Sequence, residues 1–318
     1  MDLQYLLLLQ QLRNSTGGWL TSIMLFVSDF ASNGSLLICA AVFWGVSREL
    51  GYWFISNCIS SLLFNNTLKL TACIYRPWIR CPELVPPASA LRSATGYSFP
   101  SGHTQLASSL YGSCAVRYGK EKKGLSVICI ALILLTAFSR NFLGVHTPQD
   151  VLAAMAVSAV CVYINARFFE KVRTDPSLLS RAIMIGCLVT VLCIVYFALK
   201  SYPMDYAGGV LVVNPSDMKE DGYAVAGAAL GILTGAFLEV RYVRFTADGT
   251  ILQRVLRTVL GFSFIAAFML LSRKHVYSLI GRPAGHVVIY AVAGLYIIFL
   301  YPALFTAVRK RFAKSSDS

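Results

Sequence analysis

Apolar runs close to twenty residues long recur along this chain, and they constrain its fold more than any other feature. The stretch "AIMIGCLVTVLCIVYFAL" (182–199) carries no charge. Wound as an α-helix, it nearly spans the ~30 Å hydrocarbon core of a bilayer. Backbone amides and carbonyls find no water there, so a crossing segment must be a helix or part of a closed barrel. The runs are continuous and do not alternate at period two, which argues against a barrel. Only 14% of the residues are charged, where a soluble domain carries about 25%. The expected fold class is all-α, a polytopic membrane helical bundle of about nine transmembrane spans. They fall at about 18–47, 52–72, 103–118, 125–143, 148–169, 182–199, 222–240, 255–272 and 285–307. "SDFASNGS" interrupts the first and can split it into a half-helix and a full crossing.

The net charge of +13 would suggest nucleic acid in a soluble protein. Here no basic stripe sits on a polar fold, and nucleic acid is not an expected partner. Basic residues instead collect in alternate connections, as the positive-inside rule requires of cytoplasmic loops. If the spans alternate, one face holds Arg48, the 117–123 group, the 167–181 group, the 241–257 group and Arg309, Lys310, Arg311 and Lys314. That face is the expected cytoplasmic one, with the C-terminus on it and the N-terminus outside. The connections 73–102, 140–147 and 200–221 then face outward. The 272–284 loop dissents, since it carries Arg273, Lys274 and Arg282 on the outer face.

Seven of the nine cysteines lie inside apolar runs and read as small core residues. Cys73 and Cys81 flank one loop, and spacing leaves open whether they pair. The first residues lack the basic start and long apolar core of a signal peptide. A short interfacial helix is expected there, with Arg13 reaching to the headgroups. The polar stretch "KVRTDPSLLS" near 171–180 divides the chain into residues 1–170, which contain the clusters below, and a further membrane segment, 171–318. The acidic residues of the 200–221 loop, Asp205, Asp217, Glu220 and Asp221, read as solvated.

Polar groups at membrane depth are costly and ask for partners or a function. Three clusters stand out on the expected outer face. In "KLTACIYRP", Lys69 and Arg76 are seven residues apart, two helical turns, with Pro77 expected to end the helix. In "YSFPSGH", Ser101 is a natural N-cap for a helix beginning near His103, and Gly102 allows an oxyanion close to the backbone. Free amides at such a helix start make an anion seat; a plain cap beside an interfacial histidine remains the alternative. In "SRNFLGVHTPQD", Arg140 adds a third cation, Thr147 caps a helix with Pro148 first, and Asp150 completes an acidic capping box. Asp150 also stands four residues after His146 and can orient its ring. Three cations can neutralise the oxygens of a phosphoryl group. His146 can then serve as a nucleophile without a metal, and His103 as the proton donor to a leaving oxygen. No Walker-type loop, HExxH or CxxC metal spacing occurs, so no metal or cofactor is expected.

The three clusters together resemble the signature of the type 2 phosphatidic acid phosphatase (PAP2) superfamily. That signature runs Lys, six residues, Arg-Pro; then Pro-Ser-Gly-His; then Ser-Arg, five residues, His, three residues, Asp. Every position is filled between residues 69 and 150. The resemblance implies a helical core, roughly 34–170, shared with vanadium-dependent haloperoxidases, and a phosphohistidine intermediate. It implies His146 as nucleophile, Asp150 as its partner and His103 as general acid and base. Lys69, Arg76, Ser101, the Gly102 amide and Arg140 would bind phosphate. It further implies a metal-independent site on the extracytoplasmic side of the cell membrane. The expected function is hydrolysis of a lipid phosphate or lipid-linked (di)phosphate. A lipid phosphotransferase using the same site, or a sugar-phosphate phosphatase of the glucose-6-phosphatase type, is the alternative. The crossings after residue 180 exceed the six-helix family core, and neither their role nor the oligomeric state follows from the sequence.

Overall fold

The structure, a computed structural model, describes residues 2–316, apart from the side chains of residues 31, 33 and 310–316. The C-terminal basic residues Lys310, Arg311 and Lys314 therefore lie outside the described side chains. The chain is a multi-pass helical membrane protein. Its long helices are α1 (Asp2–Ser15), α2 (Trp19–Gly45), α3 (Arg48–Ala72), α6 (Gly102–Tyr118), α7 (Lys123–Phe142), α8 (Pro148–Thr174), α9 (Ser177–Leu199), α10 (Pro215–Leu238), α11 (Ile251–Ile280), α12 (Arg282–Leu295) and α13 (Tyr301–Ser316). Two single-turn helices, α4 (Pro77–Arg80) and α5 (Ala88–Leu91), sit in the long loop before α6. A two-residue hairpin, β1 (Tyr206–Ala207) and β2 (Val210–Leu211), precedes α10. Gly208 and Gly209 form its turn at φ of 58° and 80°, left-handed values that glycine adopts without strain.

Nine spans were expected. Among the described residues, six helices are long and apolar enough to cross a membrane, and seven if the two halves of α2, bent by 44°, count as one. The two expected crossings that fall short are α3 and α6. α6 is only 17 residues long. Both are also polar along one side, and that side is buried: Ser61, Asn65 and Asn66 on α3, and Thr104, Gln105, Ser108, Ser109 and Ser113 on α6. Hydropathy thus registers least the two helices that other helices surround.

The chain divides into two compact units. The first comprises Met1–Leu37, Ser56–Arg167 and Lys200–Lys219. Its interior contains a ladder of side-chain hydrogen bonds across α3, α6 and α8. Gln105 donates to the carbonyl of Ser61 at 2.7 Å and to its hydroxyl at 3.0 Å, and accepts from Asn65 Nδ2 at 2.7 Å. Ser158 of α8 donates to the Gln105 carbonyl at 2.9 Å and meets the hydroxyls of Ser61 and Ser109 at 3.3 Å. Every member has a partner, which removes the penalty of burying it. An apolar cluster of Met24, Ala90, Ala94, Phe142, Leu143 and Val145 fills the end of this unit where the loops gather.

Arg13 departs from the expected snorkelling. It is buried and donates to the carbonyls of Phe142 at 2.9 Å and Val85 at 2.5 Å. The cation thus anchors α1 to the end of α7 and to the long loop before α6. Both Cys73 and Cys81 are free thiols.

The second unit comprises Ile38–Ile55, Phe168–Leu199 and Glu220–Ser318. Small residues let its helices touch backbone to backbone: a Cβ on Gly231 of α10 would lie 1.9 Å from the carbonyl oxygen of Ala291 on α12. Buried Glu239, in a π-helical turn, accepts from Arg48 at 2.8 Å, Tyr52 at 2.8 Å and the Phe245 amide at 2.6 Å.

The ladder yields a stability test. Gln105→Ala removes three hydrogen bonds at once and should cost about 1–2 kcal/mol, since buried partners are left unpaired. The midpoint of unfolding in a detergent titration measures this; an unchanged midpoint would show that the ladder contributes nothing.

Candidate active site

Four helix ends meet at one end of the first unit: the C-terminal ends of α3 and α7 and the N-terminal ends of α6 and α8. The sequence determines each end locally. α3 stops at Ala72 because Cys73 takes a left-handed conformation at φ 50°. The expected continuous helix from Lys69 to Pro77 is therefore corrected. Arg76 is extended (φ −62°, ψ 152°), as a residue before proline tends to be, and Pro77 begins α4 instead of ending α3. Lys69 stays in the last turn of α3, half-buried, within electrostatic reach of His103.

α6 begins at Gly102, with Ser101 as its N-cap, accepting from the Thr104 amide at 3.4 Å and the Thr104 hydroxyl at 3.1 Å. The amides of Gly102 and His103 precede the first intrahelical acceptor. A Cβ on Gly102 would touch only Asn65 Oδ1, at 3.7 Å, so the space beside this backbone is not filled by the protein's own packing. The Phe99–Pro100 peptide leading to the cap is cis.

α7 ends in a Schellman motif. Gly144 is left-handed at φ 72°, its amide donates to Asn141 O at 2.9 Å, and the Val145 amide donates to Arg140 O at 3.2 Å. The turn carries His146 back toward Arg76, and Asn141 Nδ2 secures it with a bond to the His146 carbonyl at 2.9 Å. α8 then opens with the expected capping box: the Thr147 amide donates to Asp150 Oδ2 at 2.8 Å, and the Asp150 amide to Thr147 Oγ1 at 3.4 Å.

His146, Asp150, Arg76 and Arg140 are all buried here. Arg76 Nη1 lies 2.8 Å from His146 Nε2, so that nitrogen accepts and carries the lone pair. The other ring nitrogen, Nδ1, faces Asp150 Oδ2 at 3.4 Å and the Ser98 hydroxyl at 3.5 Å. Ser98 donates to Asp150 Oδ2 at 2.5 Å. Sequence reasoning missed Ser98. It stands inside the quoted "YSFPSGH" patch, but nothing in its spacing points to Asp150, fifty-two residues away. Arg76 is held by three carbonyls: Gly96 to Nε at 3.2 Å, Val145 to Nη1 at 3.0 Å and Thr95 to Nη2 at 2.8 Å. Arg140 donates through Nη1 to the buried Ser28 hydroxyl at 2.6 Å, another partner the sequence did not announce. Its Nε and Nη2, and Nε2 of His103, are buried without a hydrogen-bond partner among the described residues. Among the described residues no group of three or more His, Cys, Asp or Glu is placed to hold a metal ion.

Burial lowers the Arg76 guanidinium to about 10, partly offset by Asp150, and leaves it cationic at neutral pH. Burial first, and then the charge of Arg76, hold His146 well below the ordinary 6.5, with Asp150 pulling the other way. A lowered value means a neutral ring and a free lone pair on Nε2. In a nitrogen-15 NMR titration of histidine-labelled protein, His146 should remain neutral at pH 6.5, with the proton on Nδ1. An imidazolium signal from His146 at that pH would contradict this electrostatic balance.

Residues 49–174 match the model of the PAP2 superfamily, and residues 223–314 match that of the PAP2 superfamily phosphatase, transmembrane extension. The undecaprenyl-diphosphatase BcrC of Bacillus subtilis (strain 168) is 29% identical over 167 residues, covering 51% of this chain and 81% of the relative. Phosphatidylglycerophosphatase B of the same organism is 26% identical over 163 residues, 49% of this chain and 78% of the relative. No solved structure matches the chain.

Proposed function

We propose that this chain, which belongs to the PAP2 superfamily and carries that superfamily's transmembrane extension, releases phosphate from a lipid phosphate or lipid-linked diphosphate through a phosphohistidine. It is a phosphoric ester hydrolase of the membrane. Residues 1–170 would carry the chemistry, with 171–318 as the extension. The observation that carries the reading is the set of buried polar atoms with no partner among the described residues, the donors Arg140 Nε and Nη2 and the ring nitrogen His103 Nε2, beside a neutral His146. Leaving donors on a charged group unpaired costs several kcal/mol, on the order of the 3–5 kcal/mol for breaking a buried ion pair, and an incoming phosphoryl group relieves that cost.

In this mechanism the Nε2 lone pair of His146 attacks phosphorus in line with the leaving oxygen. The N–P bond forms as the P–O bond breaks, and His103 gives its proton to the departing oxygen. Asp150 accepts from Nδ1–H and stabilises the charge that builds on the ring. Arg76, Arg140, Lys69, Ser101 and the Gly102 amide hold the phosphoryl oxygens. Water then loses a proton to His103 and attacks phosphorus, the N–P bond breaks, and phosphate leaves with His146 restored. The Arg76 N–H that meets Nε2 has to turn to a phosphoryl oxygen before attack.

Two features support an extracytoplasmic site. The functional groups gather at the ends of α3, α6, α7 and α8, while the basic 117–123 connection joins the opposite ends of α6 and α7. Counting α3 and α6 as crossings shielded by their neighbours restores nine spans and sets the two termini on opposite sides, the C-terminus in the cytoplasm. The relatives' names, both lipid phosphatases, support a lipid substrate.

The test is phosphate release from a panel of phosphorylated lipids and sugars by purified protein, without a lipid acceptor. His146→Ala should lower turnover by about 10³-fold or more while leaving unfolding in detergent nearly unchanged. Wild-type rates in that variant would remove the nucleophile. Orthovanadate should inhibit, because it adopts the five-coordinate geometry of the transferring group. EDTA should leave activity intact; a loss restored by a divalent cation would contradict the metal-independent mechanism.

A further inference from the structure

The 200–219 segment belongs to the C-terminal half of the sequence, yet it packs within the first unit. It holds both flanks of Arg76. On one side the Tyr75 hydroxyl donates to Asp205 at 2.5 Å, and Lys200 Nζ meets Cys73 Sγ at 3.3 Å. Asp205, expected to be only a solvated loop residue, is tied to the neighbour of Arg76. On the other side stands Met218, in the first turn of α10 and 3% exposed. Its sulfur accepts the Tyr97 amide at 3.3 Å. Its thioether fills the place beside Gly96 where a side chain would otherwise stand. A Cβ there would lie 1.9 Å from Sδ, 2.4 Å from Cγ and 2.6 Å from Cε. Gly96 is left-handed at φ 62°, and its carbonyl is one of those that hold Arg76; the other from this loop is that of Thr95.

We infer that Met218 is a positioning residue for Arg76. By seating the Gly96–Tyr97 backbone, it aims the Thr95 and Gly96 carbonyls that fix the plane of the guanidinium. The role rests on the reading of Arg76 as a phosphate ligand. The 200–219 segment thereby bears on the reaction through Arg76. A guanidinium rotated by tens of degrees still carries its charge but no longer matches the phosphoryl oxygens. Truncating Met218 should therefore weaken what Arg76 does and little else. Leucine, of similar volume, should preserve the seat while losing only the weak contact to sulfur.

The experiment compares orthovanadate binding by calorimetry in full-length wild type, Met218→Ala, Arg76→Lys and the double variant, with phosphate release measured alongside. Met218→Ala should weaken vanadate binding and lower kcat by about tenfold, with KM within about threefold. Met218→Leu should recover most of both. In the Arg76→Lys background the same truncation should change vanadate affinity by less than about twofold, because the group it aims is gone. An equal loss in both backgrounds, or none in the wild-type background, would overturn the inference. Arg76→Lys binding vanadate like wild type would instead overturn the phosphate-ligand reading itself. Should Met218→Ala fail to fold, Met218→Val takes its place in the same comparison.

Discussion

The end of the first unit where the loops gather depends on how one guanidinium is held. Arg76 has five donors in a rigid fork and no way to shed its charge near neutrality. Burying it requires acceptors, and the chain supplies main-chain carbonyls from residues 95, 96 and 145. Those carbonyls belong to two connections, and Arg76 itself lies twenty residues before Gly96 in the first of them. Each loop that donates an acceptor is fixed by doing so. The Schellman turn at Gly144 and the left-handed Gly96 set the directions in which those loops run. The charge that would bind an anion is thus also what assembles the loops around it.

A second constraint comes from the solvent. In a chain so apolar, burial of carbon distinguishes little between one helix face and another, because lipid tails cover surface as readily as protein does. Exposed leucines and valines on α9 and α11 are ordinary in that setting. Hydrogen-bonding groups distinguish more strongly, since each must find a partner inside the protein. The Ser61–Gln105–Ser158 ladder joins α3, α6 and α8 for that reason, and Lys69, His103 and Asp150 lie on those three helices. In the second unit, by contrast, shape does more of the sorting, through glycine-to-backbone contacts between α10 and α12 and a buried Trp44 ringed by Phe262, Tyr296 and Tyr301.

The parts legible in the sequence were those governed by neighbours in the chain. Ser101 and the Thr147–Asp150 box could be read because a cap and its amides lie within three residues of each other. The helical class could be read because hydrocarbon thickness imposes a length. What escaped depends on folding at a distance. Ser98 meets Asp150 across fifty-two residues, Arg140 meets Ser28 across one hundred and twelve, and Met218 meets Tyr97 across one hundred and twenty-one. The end of α3 was misread because seven-residue spacing fits a helix perfectly well; only the left-handed Cys73 and the extended residue before Pro77 break it. Arg13 was misread because a cation near a membrane surface ordinarily reaches for water, whereas here the carbonyls of Phe142 and Val85 lie closer. The span count fell short because α6 is only 17 residues long and because buried polar side chains break the apolar run of α3.

Asp150 Oδ2 receives the Thr147 amide, the Ser98 hydroxyl and the approach of His146 Nδ1. One oxygen atom therefore answers to two unrelated demands, the start of a membrane helix and the orientation of the His146 ring. Asparagine would keep an acceptor for the amide but lose the negative charge beside the imidazole. Glutamate, the usual acidic partner in a capping box, would keep the charge and the cap, but its extra methylene would shift the oxygen that His146 faces. This position therefore cannot be tuned for one demand without touching the other.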